Sequence, residues 1–201
     1  PYTTLFRSTI EMMPPGGFEL RVVIWEVHDI PIDDPEGLSD VYVTVSMPSY
    51  NSELLYKTDT HIRSEGFGSF NWRILVPIES EKSVEKQKYL MEFQVWDKDL
   101  LSANDYICSR TLDIWPAIQA AMLTGTKATL ADKNNKNEEK LEIELDTKRK
   151  LKPKMRPRMF ITVDCLTRAE ADLLPAGVGR GNPNQNPFLP DPVGRWKFSW
   201  N

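Results

Sequence analysis

Cysteine is scarce in this chain, with two in 201 residues, Cys108 and Cys165. There is no Cys-x-x-Cys pair and no Cys/His cluster, so a zinc site has no ligands to build on and a disulfide-rich scaffold is excluded. Both cysteines sit in apolar, strand-like stretches and are expected to be buried free thiols. Histidine is equally rare, and His28 and His61 show no ligand spacing. Long hydrophobic runs are missing. The longest weakly apolar stretch, WPAIQAAML at 115–123, falls far short of the roughly 20 residues of a membrane-crossing helix. No signal-peptide pattern opens the chain. Positive charge is not in excess either, with 25 Lys and Arg against 29 Asp and Glu. General nucleic-acid binding is therefore disfavoured. An enzyme is the weakest reading, because there is no nucleophile–base pair, no G-x-S-x-G and no phosphate loop.

What is present is ordinary globular composition, 40% apolar and 27% charged, with enough apolar residues for a core. The length suits one domain with an extension, or two small ones. The first eight residues, PYTTLFRS, continue none of the later patterns. Residues 1–17 are read as a disordered leader or a non-native scar. PPGG at 14–17 is a breaker cluster, after which the ordered domain is expected to begin.

Runs rich in β-branched and aromatic residues follow at 18–27, 41–47, 55–62, 70–78, 89–97 and 105–114. Their spacing predicts an all-β fold, an antiparallel sandwich. The Ala-rich stretch after Pro116 predicts a short helix. EEKLEIELDT (138–147) and MFITVDCLT (159–167) predict two further strands, and RAEADLLP one or two helical turns. The tail from 175 holds five of the fifteen prolines and four of the ten glycines. That composition predicts an extended linker with no core of its own. Its aromatic end, GRWKFSWN, suits docking back onto the sandwich.

Two acidic loops carry the chemistry. Asp34 and Asp40 flank Gly37 in the first, and Asp97, Asp99 and Asp105 punctuate VWDKDLLSAND in the second. Like charges brought within a few ångströms repel unless a cation neutralises them. Ca2+ accepts six to eight oxygens in irregular geometry, and neither loop offers nitrogen or sulfur for a softer metal. The bland alternative is a pair of solvated turns, since Asp is common in turns for local backbone bonding. An EF-hand is excluded, because residues 97–105 lead straight into a strand.

LRVVIWEVHDIPIDDPEGLSDVYVTV resembles the opening of a C2 domain, and FQVWDKDLLSANDYI resembles its third calcium loop. All five aspartates of the C2 calcium site then have a match in Asp34, Asp40, Asp97, Asp99 and Asp105. KTDTH, GSFNWRILVPI and the ending NPFLPDPVGRWKFSWN resemble the C-terminal C2 domains of the ferlins, multi-C2 membrane-fusion proteins. The resemblance implies an eight-stranded sandwich of type II topology over 18–170, and a linker over 171–201 leading towards a membrane anchor. It also implies a Ca2+-dependent phospholipid-binding module working in vesicle trafficking, membrane fusion or repair. Its partners would be anionic membranes and vesicle-fusion proteins, its address the cytoplasmic face of membranes in a tail-anchored parent. A calcium-independent protein-interaction or scaffold domain is the alternative.

Leu100 and Leu101 sit between the acids at the loop tip, where a solvated turn has little use for two leucines. They are expected to insert into lipid, with Leu38 a weaker third. The run KRKLKPKMRPR supplies Lys148, Arg149, Lys150, Lys152, Lys154, Arg156 and Arg158 as a second surface for anionic lipid, each contributing about 1 kcal/mol at an anionic surface. A solvated connection is the other reading of that run. Trp25, Trp72 and Trp96 fall in strands and are expected in packing rather than as membrane anchors.

Overall fold

A computed structural model describes residues 14, 16–32, 37–79, 89–99, 103–130 and 140–196. In chain order the strands are β1 (Phe18–His28), β2 (Ser39–Met47), β3 (Asn51–Lys57), β4 (His61–Ser64), β5 (Gly68–Ile78), β6 (Leu90–Asp97) and β7 (Asp105–Asp113). Helix α1 (Trp115–Thr124) follows, then β8 (Ala128–Thr129), β9 (Leu141–Glu144), β10 (Arg158–Thr167) and α2 (Arg168–Leu173). Every strand pairing is antiparallel.

One sheet runs β5-β1-β10 and the other β3-β2-β6-β7. The fourth place in the first sheet is shared: β9 pairs with Arg158–Ile161 of β10, and β8 with Asp164 and Cys165. The edge beside β2 is shared in the same way by β3 and β4. The result is a two-by-four sandwich, the expected all-β architecture, with β1 and β10 side by side although they open and close the strand order. Residues 55–62, read as one strand, are in fact two. The chain leaves the edge of β2 at Thr58, whose Oγ1 accepts from the Val43 N–H at 3.0 Å and donates to the Asp59 carbonyl at 2.7 Å.

The core lies between the sheets. Phe18, Leu20, Val22 and Ile24 from β1 meet Val41, Val43 and Val45 from β2 and Met91, Phe93 and Val95 from β6, all essentially buried. The period of two is what a sheet with one apolar face requires. Helix α1 closes one edge with Trp115, Ala117, Ile118 and Ala121. Its Pro116 lies in the first turn, where the missing N–H costs nothing, and Gly125 ends it in the left-handed region. Cys108 and Cys165 are buried free thiols, as expected, and burial pushes both up to about 12.

β1 breaks the alternation. Val22, Val23, Ile24 and Trp25 are all buried in succession. A strand buried on both faces reads as a continuous apolar run. Both ladders of β1 shift register between Ile24 and Glu26: against β10 Trp25 is the extra residue, while against β5 the surplus lies in β5, with Phe70 and Asn71 opposite it. The cover on the outer face is the tail: Leu189, 1% exposed, packs on Val23 and Trp25. Residues 175–196 contain no helix and no long strand, as the composition predicted. Contrary to a free linker, however, they are bonded along β5. Asn71 donates to the carbonyls of Pro190 and Asp191 at 3.0 and 3.2 Å. Arg73 and Gly179 exchange backbone bonds, and the fully buried Arg73 guanidinium donates to the carbonyls of Gly177 and Pro187. Chain composition could not anticipate this, because the tail adds main-chain acceptors and one leucine to a surface that already has its own apolar side chains.

Candidate functional site

Strand register brings the acids together. Asp97 continues the inward-facing line of Met91, Phe93 and Val95 along β6, so its carboxylate lies at the mouth of the sandwich and is 8% exposed. β6 pairs with β7 such that Asp97 stands directly opposite Asp105, and with β2 such that Val41, next to Asp40, stands opposite Asp97. Directly opposed residues have Cα atoms about 4.5–5.5 Å apart, and like charges in that position destabilise the pair.

Backbone bonds tie the cluster. The Asp40 N–H donates to Asp97 Oδ1 at 2.7 Å, and the Lys98 N–H donates to the Asp40 carbonyl at 2.9 Å. Asp40 Oδ1 accepts from the Arg63 N–H at 2.8 Å. Asp99 is half-buried, its N–H bonded to Asn104 Oδ1 at 3.2 Å, while Asn104 Nδ2 donates to the Tyr42 hydroxyl at 2.9 Å. Asn104 and Arg63 thus organise the two loops, although neither stood out in the sequence. The only signal for Asn104 was its place in SAND, one residue before a ligand-like aspartate.

Asp40, Asp97, Asp99 and Asp105 therefore lie at one end of one sheet. Asp34, Leu100 and Leu101 lie outside the described residues, and Leu38 is half-buried. The donor chemistry, hard carboxylate oxygens with no nitrogen or sulfur, fits calcium. Among the described residues no group of three His, Cys, Asp or Glu stands close enough to hold a metal ion as positioned.

The basic run opens at the same end. Thr147 Oγ1 donates to the Ile107 carbonyl at 2.6 Å, and Arg149 Nη2 donates to the Tyr106 carbonyl at 3.1 Å, folding the run over the start of β7. Lys148, Lys150, Lys152, Lys154 and Arg156 are exposed and Arg149 is half-buried. Arg158 differs from the rest. It lies in β10, ion-paired with Asp29 at 3.2 Å and Glu142 at 3.3 Å, so its charge is already matched. The strand tryptophans are in packing, as expected: Trp25 donates to Thr162 Oγ1 and Trp96 to Thr44 Oγ1, and Trp72 lies beneath the Arg180 guanidinium. No helix among the described residues is long and apolar enough to cross a membrane.

Known proteins carry the same pattern. A family model described as the C2 domain matches residues 18–128. Myoferlin of Xenopus tropicalis is 32% identical over 91% of this chain and 11% of its own length. Ferlin 1 of Toxoplasma gondii is 29% identical over 90% of this chain and 12% of its own. The chain spans only about a tenth of these relatives. Among solved structures, a C2 domain of plant extended synaptotagmin 1 superposes with a TM-score of 0.51 at 15% identity, over 77% of this chain and 97% of that one. Human GIVD cytosolic phospholipase A2 does so with 0.52 at 17% identity, over 75% and 16%. These likenesses speak to the fold alone. With its two four-place sheets, its acids at one sheet end and a family match over more than half its length, the chain belongs to the C2 domain family, with ferlins as its relatives.

Proposed function

We propose that this chain is a calcium-dependent phospholipid-binding C2 module of a ferlin-like protein, acting at the cytoplasmic face of membranes in trafficking, fusion or repair. It is a membrane module, not a catalyst. The observation that carries this reading is the direct opposition of Asp97 and Asp105 across β6 and β7, with Asp40 bonded to Asp97 beside them. Such an arrangement is self-repelling without a cation. A bound calcium ion would supply positive charge and open coordination positions for lipid phosphate. Asp40, Asp97, Asp99 and Asp105 would hold it together with Asp34. Neutralising those acids turns a negative sandwich end into one that an anionic bilayer attracts, a change of local charge rather than of fold. The basic run beside it adds attraction of the same sign, and Leu100 and Leu101 are proposed to enter the lipid.

A calcium-independent interaction module is the second reading. It is favoured by the placement of the described acids, no three of which stand close enough to hold a metal ion as positioned. Co-sedimentation with phosphatidylserine-rich and neutral vesicles, with and without calcium, separates the two. Binding to the anionic vesicles only with calcium, lost in Asp97→Asn with Asp99→Asn, is the expected result. Equal binding with and without calcium, together with no calorimetric heat on calcium addition, sinks the first reading.

A further inference from the structure

The end of the tail lies against the strand beside the carboxylates. β4 pairs with β2 through Ser64 opposite Ser39 and His61 opposite Val41, so Ile62 and Arg63 together stand opposite Asp40 alone. The surplus residue makes a bulge, a device that re-aims groups beside functional sites. Arg63 takes up the bulge in the left-handed region at φ +55°, a conformation few non-glycine residues adopt. The bulge aims its N–H at the acid, donating to Asp40 Oδ1 at 2.8 Å. The backbone of Asp40 is tied to β6 through Asp97 and Lys98, and the Arg63 N–H holds its carboxylate.

Residues 194–196 run beside the same segment. Gly194 rests on Phe67 and His61: a Cβ there would stand 3.4 Å from Phe67 Cε1 and 3.8 Å from His61 Cε1. Arg195 donates to the Thr60 carbonyl at 3.2 Å and grips Asp59. The Arg63 guanidinium lies over the Trp196 ring, 5.2 Å from its centroid, within the range of a cation–π contact. Arg63 thus touches a candidate calcium ligand with its backbone and the tail with its side chain. We propose that Arg63 is a positioning residue that couples the two: docking of the tail end strengthens calcium binding at Asp40, and calcium binding tightens the tail.

The coupling rests on the calcium reading above and adds a regulator to that site. Two effects share one sign. Ligating carboxylates are oriented by hydrogen bonds from groups behind them, and metal affinity falls when those groups are lost. With residues 194–196 docked, the bulge is held and the Arg63 N–H keeps Asp40 in place. The second effect is charge. Arginine is a permanent cation that pairs well with carboxylates. Held over Trp196, the guanidinium is engaged by the ring; released, it is free to turn to the acids and compete with calcium for them. Linkage between two binding events is reciprocal, so the factor by which the docked tail raises calcium affinity is the factor by which calcium raises tail docking.

The test uses the full chain and variants of two exposed side chains, Arg63 and Trp196. By calorimetry, Trp196→Ala is expected to weaken calcium binding roughly fivefold, the lower end of ordinary coupling between sites. Trp196→Phe, which keeps an aromatic face, is expected to restore most of that loss. Arg63→Gly keeps the N–H, suits the left-handed backbone and removes the guanidinium, so in that background Trp196→Ala is expected to cost nothing further. Hydrogen exchange over residues 190–196 is expected to slow in calcium by a similar factor in wild type and to stay unchanged in Trp196→Ala. Equal affinity in wild type and Trp196→Ala, no rescue by Trp196→Phe, or a full additional loss in the Arg63→Gly background would each overturn the coupling while leaving the calcium reading in place. No heat in wild type overturns the calcium reading and the coupling with it. A last readout needs no calcium: in EGTA, Trp196→Ala is expected to shift the Arg63 amide resonance. An unmoved Arg63 amide would mean that the tail does not reach Asp40, and would overturn the proposal by itself.

Discussion

Asp59 grips Arg195 with both carboxylate oxygens, Nη1 to Oδ2 at 2.9 Å and Nη2 to Oδ1 at 2.8 Å, and takes Arg180 on Oδ2 at 2.7 Å. Both arginines come from the tail, and Asp59 sits in the break between β3 and β4. The same arginines bond the backbone of β5, Arg180 to the Phe70 carbonyl and Arg195 to the Ser69 carbonyl. One carboxylate thus anchors a tail segment at two places fifteen residues apart. Asp59→Asn keeps the shape and removes the charge. The expected outcome is a loss of about 2 kcal/mol, the scale of hydrogen bonds to a charged group, with faster proteolysis between residues 175 and 196. Unchanged cleavage would mean that the tail is held without the clamp.

His61 sits behind the same clamp. Its Nδ1 accepts from the Ser69 N–H at 3.0 Å, a role open only to the neutral ring. Burial, then the Arg195 guanidinium, lowers its pKa below the ordinary 6.5, while a bond to the Gly194 backbone and the Asp59 carboxylate pull the other way. The unfolded chain therefore binds the proton first as pH falls. His61 contributes full stability above about 6.5 and loses it as pH drops from there towards its lower folded value. Urea unfolding at pH 7.5 and pH 5.5 is expected to show a smaller drop in His61→Gln than in wild type. An equal drop in both would assign the acid sensitivity to other groups.

Leu189 is the tail's single buried apolar anchor among the described residues, on Val23 and Trp25. Leu189→Ala is expected to cost about 3 kcal/mol, within the usual range for a buried leucine. A chain ending at residue 174 is expected to melt lower still and to bind a hydrophobic dye, because Val23, Trp25 and the face of Trp72 lose their cover. A truncated chain that melts like the full one would show that the sandwich stands without its tail.

Much of this was legible beforehand, and the exceptions share a cause. Strands with one apolar face, such as Val41–Met47 and Met91–Val95, announce themselves by alternation. Spacing alone left the acids open as solvated turns, and only the resemblance to the C2 loops grouped them; the inward turn of Asp97 follows from alternation, since Val95 faces inward two residues before it. The tail was not legible, since its bonds are made by backbone carbonyls at Gly177, Pro187 and Pro190, which no side-chain pattern encodes. Its receiving surface did leave a trace in the unbroken run Val22–Trp25, a strand with two faces to bury.

The opposed pair Asp97 and Asp105 allows a test that needs no membrane. Asp97 carries the Asp40 N–H, so replacing it breaks a bond as well as removing a charge. Asp105 is exposed at the start of β7 and is the cleaner target. In EGTA, Asp105→Asn removes a like charge from a directly opposed position and is expected to stabilise the domain by about 0.5 kcal/mol. In calcium the order reverses. A ligand that binds only the folded state raises the melting temperature with its concentration, so wild type is expected to climb with added calcium while Asp105→Asn climbs little. Thermal unfolding across a calcium titration reads both effects on the same pair of proteins. If the variant is less stable in EGTA, the opposition of the two acids is not a strain on the apo fold. If both proteins climb equally, Asp105 is not among the groups that hold the ion.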